Sequence, residues 1–214
     1  MTRVFLYCEG VTDFDPICIL MKKAAGSAEL TIIRKTRNDL RNETRVLSGR
    51  RGVHKHETYI DRLAMAAKKA NCRHIAYHQD ADNDDSNVYK RVNGKLSDFR
   101  GKYRCLAVVP KEMIESWLLA DEQAFVTAFG WKPVRPTLPA KPEALWGKKE
   151  NPNSRHPKHV MKSILKQYHM EPDRAAYAEI ATNCNIDTLR RRCNISFDRF
   201  FKDLQGFIDH KFLK

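Results

Sequence analysis

Four aspartates crowd the stretch that follows a short apolar run in the first half of the chain. They are Asp80, Asp82, Asp84 and Asp85, and the apolar run spans residues 75–77. Asp80 and Asp82 are two residues apart, so in extended backbone their side chains project to the same side and can share one hard cation. The stretch lacks the glycine and the glutamate that an EF-hand needs at fixed offsets. A solvated turn rich in Asp and Asn is the alternative interpretation.

The elements around this stretch predict an α/β fold with a small, mainly parallel sheet flanked by helices. Apolar runs typical of buried strands lie at 3–8, 30–34, 75–77 and 104–109. Helical periodicity lies between them, in the segment after the first run and at 58–70 and 88–99. Glu9 ends the first run, and Thr12 or Asp13 can cap the helix that follows. Ligands of such sheets gather outside the carboxyl ends of the strands, so Glu9, Asp80 and Asp82 are expected at one edge.

The second half of the chain predicts a helical region. Residues 1–130 are assigned to the α/β domain, 131–157 to a surface excursion rich in proline and lysine, and 158–214 to a helical subdomain packed on the first. Apolar residues recur at helical spacing in 159–168, 175–184, 186–193 and 197–212. Glu115 stands among apolar residues at 110–125, so it is either an acid aimed into a site or an ordinary flanking charge, and spacing alone favours the second interpretation.

The charge of the chain favours a polyanionic partner. Lys and Arg outnumber Asp and Glu by 39 to 26, which gives a formal net charge of +13. Basic surfaces bind phosphate backbones through Coulomb attraction and counterion release. Glycines flank Arg50 and Arg51 in a basic segment that also holds Lys55, and these three residues are candidate phosphate contacts. A solvated charged loop is an equally good interpretation, and charge alone does not separate nucleic acid from nucleotide or an anionic membrane surface.

Cysteine usage and hydropathy predict a cytoplasmic protein that does not enter a membrane. The six cysteines form no CxxC pair and fall mostly within apolar segments, as reduced buried thiols do. Glu9 interrupts the amino-terminal apolar run before a signal peptide is complete. No apolar run approaches the length that spans a bilayer.

The combination of Glu9 after the first strand and Asp80-Ala81-Asp82 after a later one resembles the Toprim domain of topoisomerases, bacterial primases and several nucleases. In that family the corresponding carboxylates bind magnesium and handle a phosphodiester. The resemblance implies a Rossmann-like sheet, Mg²⁺ or Mn²⁺ as cofactor and DNA or RNA as partner. Here Asp84 and Asp85 stand where the commonest Toprim pattern has glycine, which leaves open which of the four aspartates coordinate metal, and Asp84 is retained as a candidate.

The segments PKEMIESWLLAD and PKHVMKSIL and the closing helical segment add a second resemblance, to a Toprim-related prokaryotic family of unknown function, and this resemblance spans nearly the whole chain. Such proteins are often encoded beside ATPases of the ABC or structural-maintenance type, in settings of defence against phage. This resemblance makes Glu115 a candidate catalytic residue and Asp121 a candidate member of the site. It also makes Lys158 a candidate phosphate contact and implies an ATPase partner. Assembly into a homo-oligomer stays open.

The expected function is that of a metal-dependent endonuclease, with Glu9, Asp80 and Asp82 as metal ligands. A structured-RNA processing nuclease is a narrower alternative. A non-catalytic subunit that binds nucleotide or nucleic acid for an ATPase partner is a rival of another class. A domain that transfers a phosphoryl group to an aspartate shares the same strand-end acids.

Overall fold

A four-stranded parallel sheet lies at the centre of the computed structural model, which describes residues 1–41, 58–82, 84–130 and 138–209. The strands are β1 (Thr2–Tyr7), β2 (Leu30–Lys35), β3 (His74–His78) and β4 (Arg104–Val108). Their order in the sheet is β2-β1-β3-β4, and every neighbouring pair is parallel. The four strands predicted from the apolar runs are confirmed, with ends that differ by at most one residue.

A helix lies between each two consecutive strands, and the chain after β4 is helical, as the sequence predicts. They are α1 (Phe14–Ala24), α2 (Tyr59–Lys69), α3 (Asp85–Ser97), α4 (Ile114–Leu118), α5 (Glu122–Phe129), α6 (Pro157–Gln167), α7 (Arg174–Asn183), α8 (Ile186–Arg192) and α9 (Phe197–Ile208), with a 3₁₀ turn at Pro142–Ala144. The α/β class and the helical carboxyl-terminal region are therefore confirmed. Helix α2 begins with a capping box, in which the Thr58 hydroxyl accepts from the Asp61 amide and the Asp61 carboxylate accepts from the Thr58 amide.

The two faces of the sheet carry separate apolar layers, because successive side chains of a strand point to opposite faces. One layer holds α1 and most of the helices after β4, packed on Val4, Leu6, Ala76, Leu106 and Val108. The other layer holds α2 and α3, packed on Phe5, Tyr7, Ile75, Tyr77 and Ala107. Burial on both faces explains why the strands show apolar runs without alternation in the sequence.

The carboxyl-terminal helices share the first of these layers with the sheet. The Trp117 ring of α4 lies 5.0 Å from the Phe197 ring and 5.2 Å from the Phe200 ring of α9. The prediction that these phenylalanines are core residues is confirmed, since Phe197 and Phe200 are almost completely buried. The domain boundaries at 130 and 157 remain predictions, and residues 131–137 of the excursion lie outside the described part of the chain.

All six cysteines are free. Within the described ranges, no helix has the length and apolar character needed to cross a bilayer.

Candidate metal centre

A cavity of about 250 Å³ opens at the carboxyl ends of β1 and β3. The residues that line it are Glu9, Gly10, Thr12, Asp13, Asp80, Asp82, Met113, Lys149 and Lys158. Four of the nine were predicted from sequence, namely Glu9, Asp80, Asp82 and Lys158. The structure therefore brings together carboxylates from two strand ends and two lysines from the second half of the chain.

Strand register explains why the acids meet. Tyr7 of β1 pairs with Tyr77 of β3, so the two strands end nearly level, and Glu9 and Asp80 each follow within three residues. The chain leaves β1 towards β2 on one side and β3 towards β4 on the other. This reversal makes the β1–β3 boundary the switch point of the sheet, where ligands of open α/β sheets bind.

The turn after β3 differs from the extended backbone that the sequence predicts. Asp82 has a φ of 45°, in the left-handed region, so the expectation of extended backbone through Asp80 and Asp82 was wrong. Two hydrogen bonds from the turn to the segment after β4 hold this conformation: Ala81 N donates to Pro110 O at 3.2 Å, and Asp82 N donates to Glu112 O at 3.1 Å. Both aspartates nevertheless line the same cavity.

Asp13 belongs to the cavity, although the sequence predicted only a capping role for it. It occupies the position before α1, but its side chain makes no capping hydrogen bond. Its carboxylate instead accepts from Gly10 N and from the Thr12 hydroxyl, each at 3.0 Å, and is buried. A Cβ on Gly10 would lie 2.2 Å from Asp13 Oδ2, so a larger residue at position 10 would displace this carboxylate. Its position four residues after Glu9, in a strand-to-helix turn, is the signal that could have found it.

His78 contacts two of the carboxylates from behind the cavity. Its ring is completely buried, with Nε2 3.2 Å from Asp80 Oδ1 and Nδ1 3.9 Å from Asp13 Oδ2. Burial lowers the pKa of His78, but hydrogen bonds with Asp80 and with the Cys8 thiol outweigh burial and raise that pKa well above its usual value. The hydrogen bond between His78 and Asp80 fixes the orientation of the Asp80 carboxylate, which is the role of residues that support metal ligands.

The electrostatics of the cavity fit a divalent cation. Partial burial raises the pKa of Glu9, and repulsion from Asp80, Asp82 and Asp13 raises it further, whereas His78 opposes the rise. One ligand atom each from Asp13, His78 and Asp80 lies within 4.8 Å of the others. Carboxylate oxygens are the donors that Mg²⁺ and Mn²⁺ prefer, so Glu9, Asp13, Asp80 and Asp82 could hold either ion.

Comparisons with protein-family models, curated proteins and solved structures found no match. Membership of the Toprim family therefore remains a prediction.

Glu115 lies under the centre and does not line the cavity. This carboxyl group, on α4, is buried and accepts a hydrogen bond of 3.1 Å from the Tyr177 hydroxyl. Its other oxygen, Oε2, has no hydrogen-bond partner among the described residues. Burial raises the pKa of Glu115 to about 7, with Lys158 opposing the rise and Asp80 adding to it. The sequence did not single out Glu112 for the site, yet burial followed by repulsion from Asp82 raises its pKa to about 7 as well.

Replacing Glu115 with Gln should remove a pH dependence of stability. The folded protein favours the protonated form of a carboxyl group whose pKa is raised, so its contribution is full below the unfolded pKa near 4.5 and is lost as pH rises through about 7. Between pH 5 and 8 the wild type should lose about 2 kcal/mol of unfolding free energy relative to Glu115→Gln. Urea unfolding in EDTA measures the difference. Glu150→Gln, at an exposed glutamate, is the matched control, and a pH-independent difference for Glu115→Gln would contradict the expectation.

The two other aspartates of the β3–α3 turn do not line the cavity. Asp84 is exposed and accepts from the Asn87 side chain at 2.8 Å. Asp85 accepts two hydrogen bonds from Arg199 of α9, at 3.0 and 2.7 Å. Asp84 is therefore not among the carboxylates that line the cavity, and its role as a metal ligand stays a prediction.

Asp121 also lies away from the cavity. It caps α5 by accepting from Gln123 N at 3.1 Å, and it accepts from Asn185 N at 2.7 Å. Both hydrogen bonds come from backbone N–H groups, and Asp121 is not among the residues that line the cavity. The basic candidates Arg50, Arg51 and Lys55 lie outside the described residues. Lys149, from the proline-rich excursion, is a lining residue that the sequence did not single out.

Proposed function

We propose that the chain is a metal-dependent hydrolase that cleaves phosphodiester bonds of nucleic acid. The observation that carries this proposal is the composition of a single cavity at the switch point of the sheet, which combines four carboxylates with two lysines: Glu9, Asp13, Asp80, Asp82, Lys149 and Lys158. Acids alone would suit a cation, and lysines alone would suit an anion. Their combination suits a cation that meets a phosphate.

The basic and the acidic residues of the cavity have different roles in this proposal. Lys149 and Lys158 attract the phosphate and offset its charge at the rim. His78 holds Asp80 in place, and Gly10 N and the Thr12 hydroxyl hold Asp13, so that both carboxylates are oriented before substrate arrives. A bound Mg²⁺ or Mn²⁺ would polarise a phosphoryl oxygen and lower the pKa of an attacking water.

The charge of the whole chain supports nucleic acid over a small phosphoester. A formal net charge of +13 accompanies a cavity that is itself acidic. A net positive charge of this size favours a long polyanion, which contacts more of a basic surface than one phosphate group does.

A cleavage assay tests the proposal. Purified protein is incubated with plasmid DNA, single-stranded DNA and total RNA, in EDTA, Mg²⁺ or Mn²⁺. Cleavage that requires a metal ion is expected, and the nucleic acid that is cut gives the substrate class. Where the chain alone is inactive, the assay is repeated with an ATPase of the ABC or structural-maintenance type, the partner that the family resemblance implies. Lack of cleavage in both settings, with nucleic acid still bound, would instead support a non-catalytic binding subunit.

A further inference from the structure

A second cleft lies on the other side of Glu9. Its volume is about 210 Å³, and its lining residues are Tyr7, Glu9, Arg37, Tyr59, Tyr77 and Gln79. Glu9 is the residue that this cleft shares with the metal centre. A ligand that occupied both spaces would therefore pass directly over Glu9.

The tyrosines of the cleft form a stack with Tyr7 in the middle. The Tyr7 ring centroid lies 5.5 Å from that of Tyr59 and 4.8 Å from that of Tyr77, and the ring planes are within 14° and 12° of parallel. Because the neighbouring rings cover Tyr7, a nucleobase has no access to its faces. The cleft is instead suited to contact with ring edges and hydroxyl groups.

Arg37 adds a positive charge to these hydroxyl groups. Its guanidinium lies 5.3 Å from the centre of the Tyr59 ring, and its Nε donates to the Tyr59 hydroxyl at 2.6 Å. The side chain is exposed, so the rest of the guanidinium fork is accessible to a ligand. Gln79 contributes an amide to the same wall.

The chemistry and the size of the cleft both point to a phosphate group. Phenolic hydroxyls are protonated at neutral pH and donate hydrogen bonds, and Arg presents several donors to phosphate oxygens. Tyr and Arg side chains are common phosphate contacts in nucleic-acid complexes. A cleft of about 210 Å³ is below the usual range of complete small-molecule sites, yet it can hold a phosphate group.

We propose that this cleft binds the phosphate next to the one that occupies the metal centre. The inference depends on the proposed function, because it takes the metal centre as the place of the scissile phosphodiester. Glu9 repels a neighbouring phosphate unless its charge is neutralised, so binding in the cleft requires a divalent cation on the far side of Glu9. The two sites then fix the register of the substrate strand.

Isothermal titration calorimetry tests the cleft without any cleavage. The probes are thymidine 3′,5′-bisphosphate, thymidine 5′-monophosphate and thymidine 3′-monophosphate, each titrated into the full chain in Mn²⁺ and in EDTA. In Mn²⁺ the bisphosphate should bind the wild type about tenfold more tightly than either monophosphate. Arg37→Gln and Tyr59→Phe should remove this advantage and leave monophosphate binding unchanged. Arg3→Gln, at an exposed arginine at the other end of β1, should keep it.

Two oligonucleotides distinguish the sources of the phosphate. A hexathymidylate with a 5′-hydroxyl offers only internal phosphates, whereas its 5′-phosphorylated form adds a terminal one. An Arg37→Gln defect with both forms identifies an internal phosphate, and a defect with the phosphorylated form alone identifies a terminal one.

The proposal is overturned if the bisphosphate binds no more tightly than the monophosphates, or if Arg37→Gln and Arg3→Gln behave alike. Failure of the proposed function has a different signature, since the bisphosphate advantage would persist in a protein that cleaves no nucleic acid.

Discussion

Replacing Asp82 with Asn should reduce metal-dependent cleavage by about 10²–10³-fold and leave the fold intact. Asp82 lines the cavity beside Asp80, and its loss removes a charged oxygen donor from the candidate metal site. Asn suits the backbone at this position, because the φ of 45° lies in the left-handed region that Asn and Asp tolerate better than other side chains. Initial rates in Mg²⁺ and Mn²⁺ measure the effect, and circular dichroism checks the fold.

The same variant should be at least as stable as the wild type when no metal ion is present. Asp82 is one of the charges that raise the pKa of Glu9, so the cluster carries mutual repulsion that Asn relieves. A ligand that binds the folded protein more tightly stabilises it more, so Mn²⁺ should raise the melting temperature of the wild type more than that of Asp82→Asn. The pair of measurements separates a loss of metal binding from a loss of structure.

Asp84→Asn is the matched control, because it removes the same charge two residues further along the turn. Asp84 is exposed and contacts Asn87 instead of the cavity, so its replacement should leave both cleavage and the response to Mn²⁺ nearly unchanged. Equal defects in the two variants would mean that cleavage depends on the total negative charge of the turn and not on the position of Asp82. Full activity in Asp82→Asn would exclude the proposed centre.

The main carboxylates of the cavity could be predicted because they depend on strand topology. Parallel strands present their carboxyl ends at one edge, so a glutamate after β1 and aspartates after β3 meet once the two strands are neighbours. Glu9 and Asp80 therefore needed no knowledge of side-chain packing. The direction of Asp84 could not be predicted in this way, because it depends on the left-handed turn at Asp82 that directs the chain into α3.

The residues that sequence analysis missed depend on contacts between distant segments. Lys149 is more than sixty positions from Asp80 and reaches the cavity through an irregular segment with no periodicity to follow. Asp13 has the sequence signature of a helix cap, and its other role appears only when Gly10 N and the Thr12 hydroxyl are seen to hold its carboxylate. Local propensity favours Asp at the position before a helix whether or not its carboxylate also lines a cavity.

Glu143→Ala should lower the free energy of unfolding by about 3–5 kcal/mol. Glu143 lies in the 3₁₀ turn of the proline-rich excursion and is buried against the start of α9. Its carboxylate accepts from Ile195 N at 2.9 Å and from Ser196 N at 2.7 Å, and the Ser196 hydroxyl donates to it as well. Removal of the carboxylate leaves two backbone N–H groups without their acceptor. It also removes a negative charge that stabilises the amino terminus of α9.

The loss should extend into the core, because Ser196 connects Glu143 to α4. The Ser196 hydroxyl accepts from Trp117 Nε1 at 2.7 Å while it donates to Glu143. Glu143→Gln keeps one acceptor oxygen and should cost about 1–2 kcal/mol, whereas Glu150→Ala, at an exposed glutamate of the same excursion, should change stability by less than about 0.5 kcal/mol. Urea unfolding of the three variants at one pH gives the comparison. If Glu143→Ala were as stable as Glu150→Ala, the desolvation cost of the buried carboxylate would cancel its hydrogen bonds.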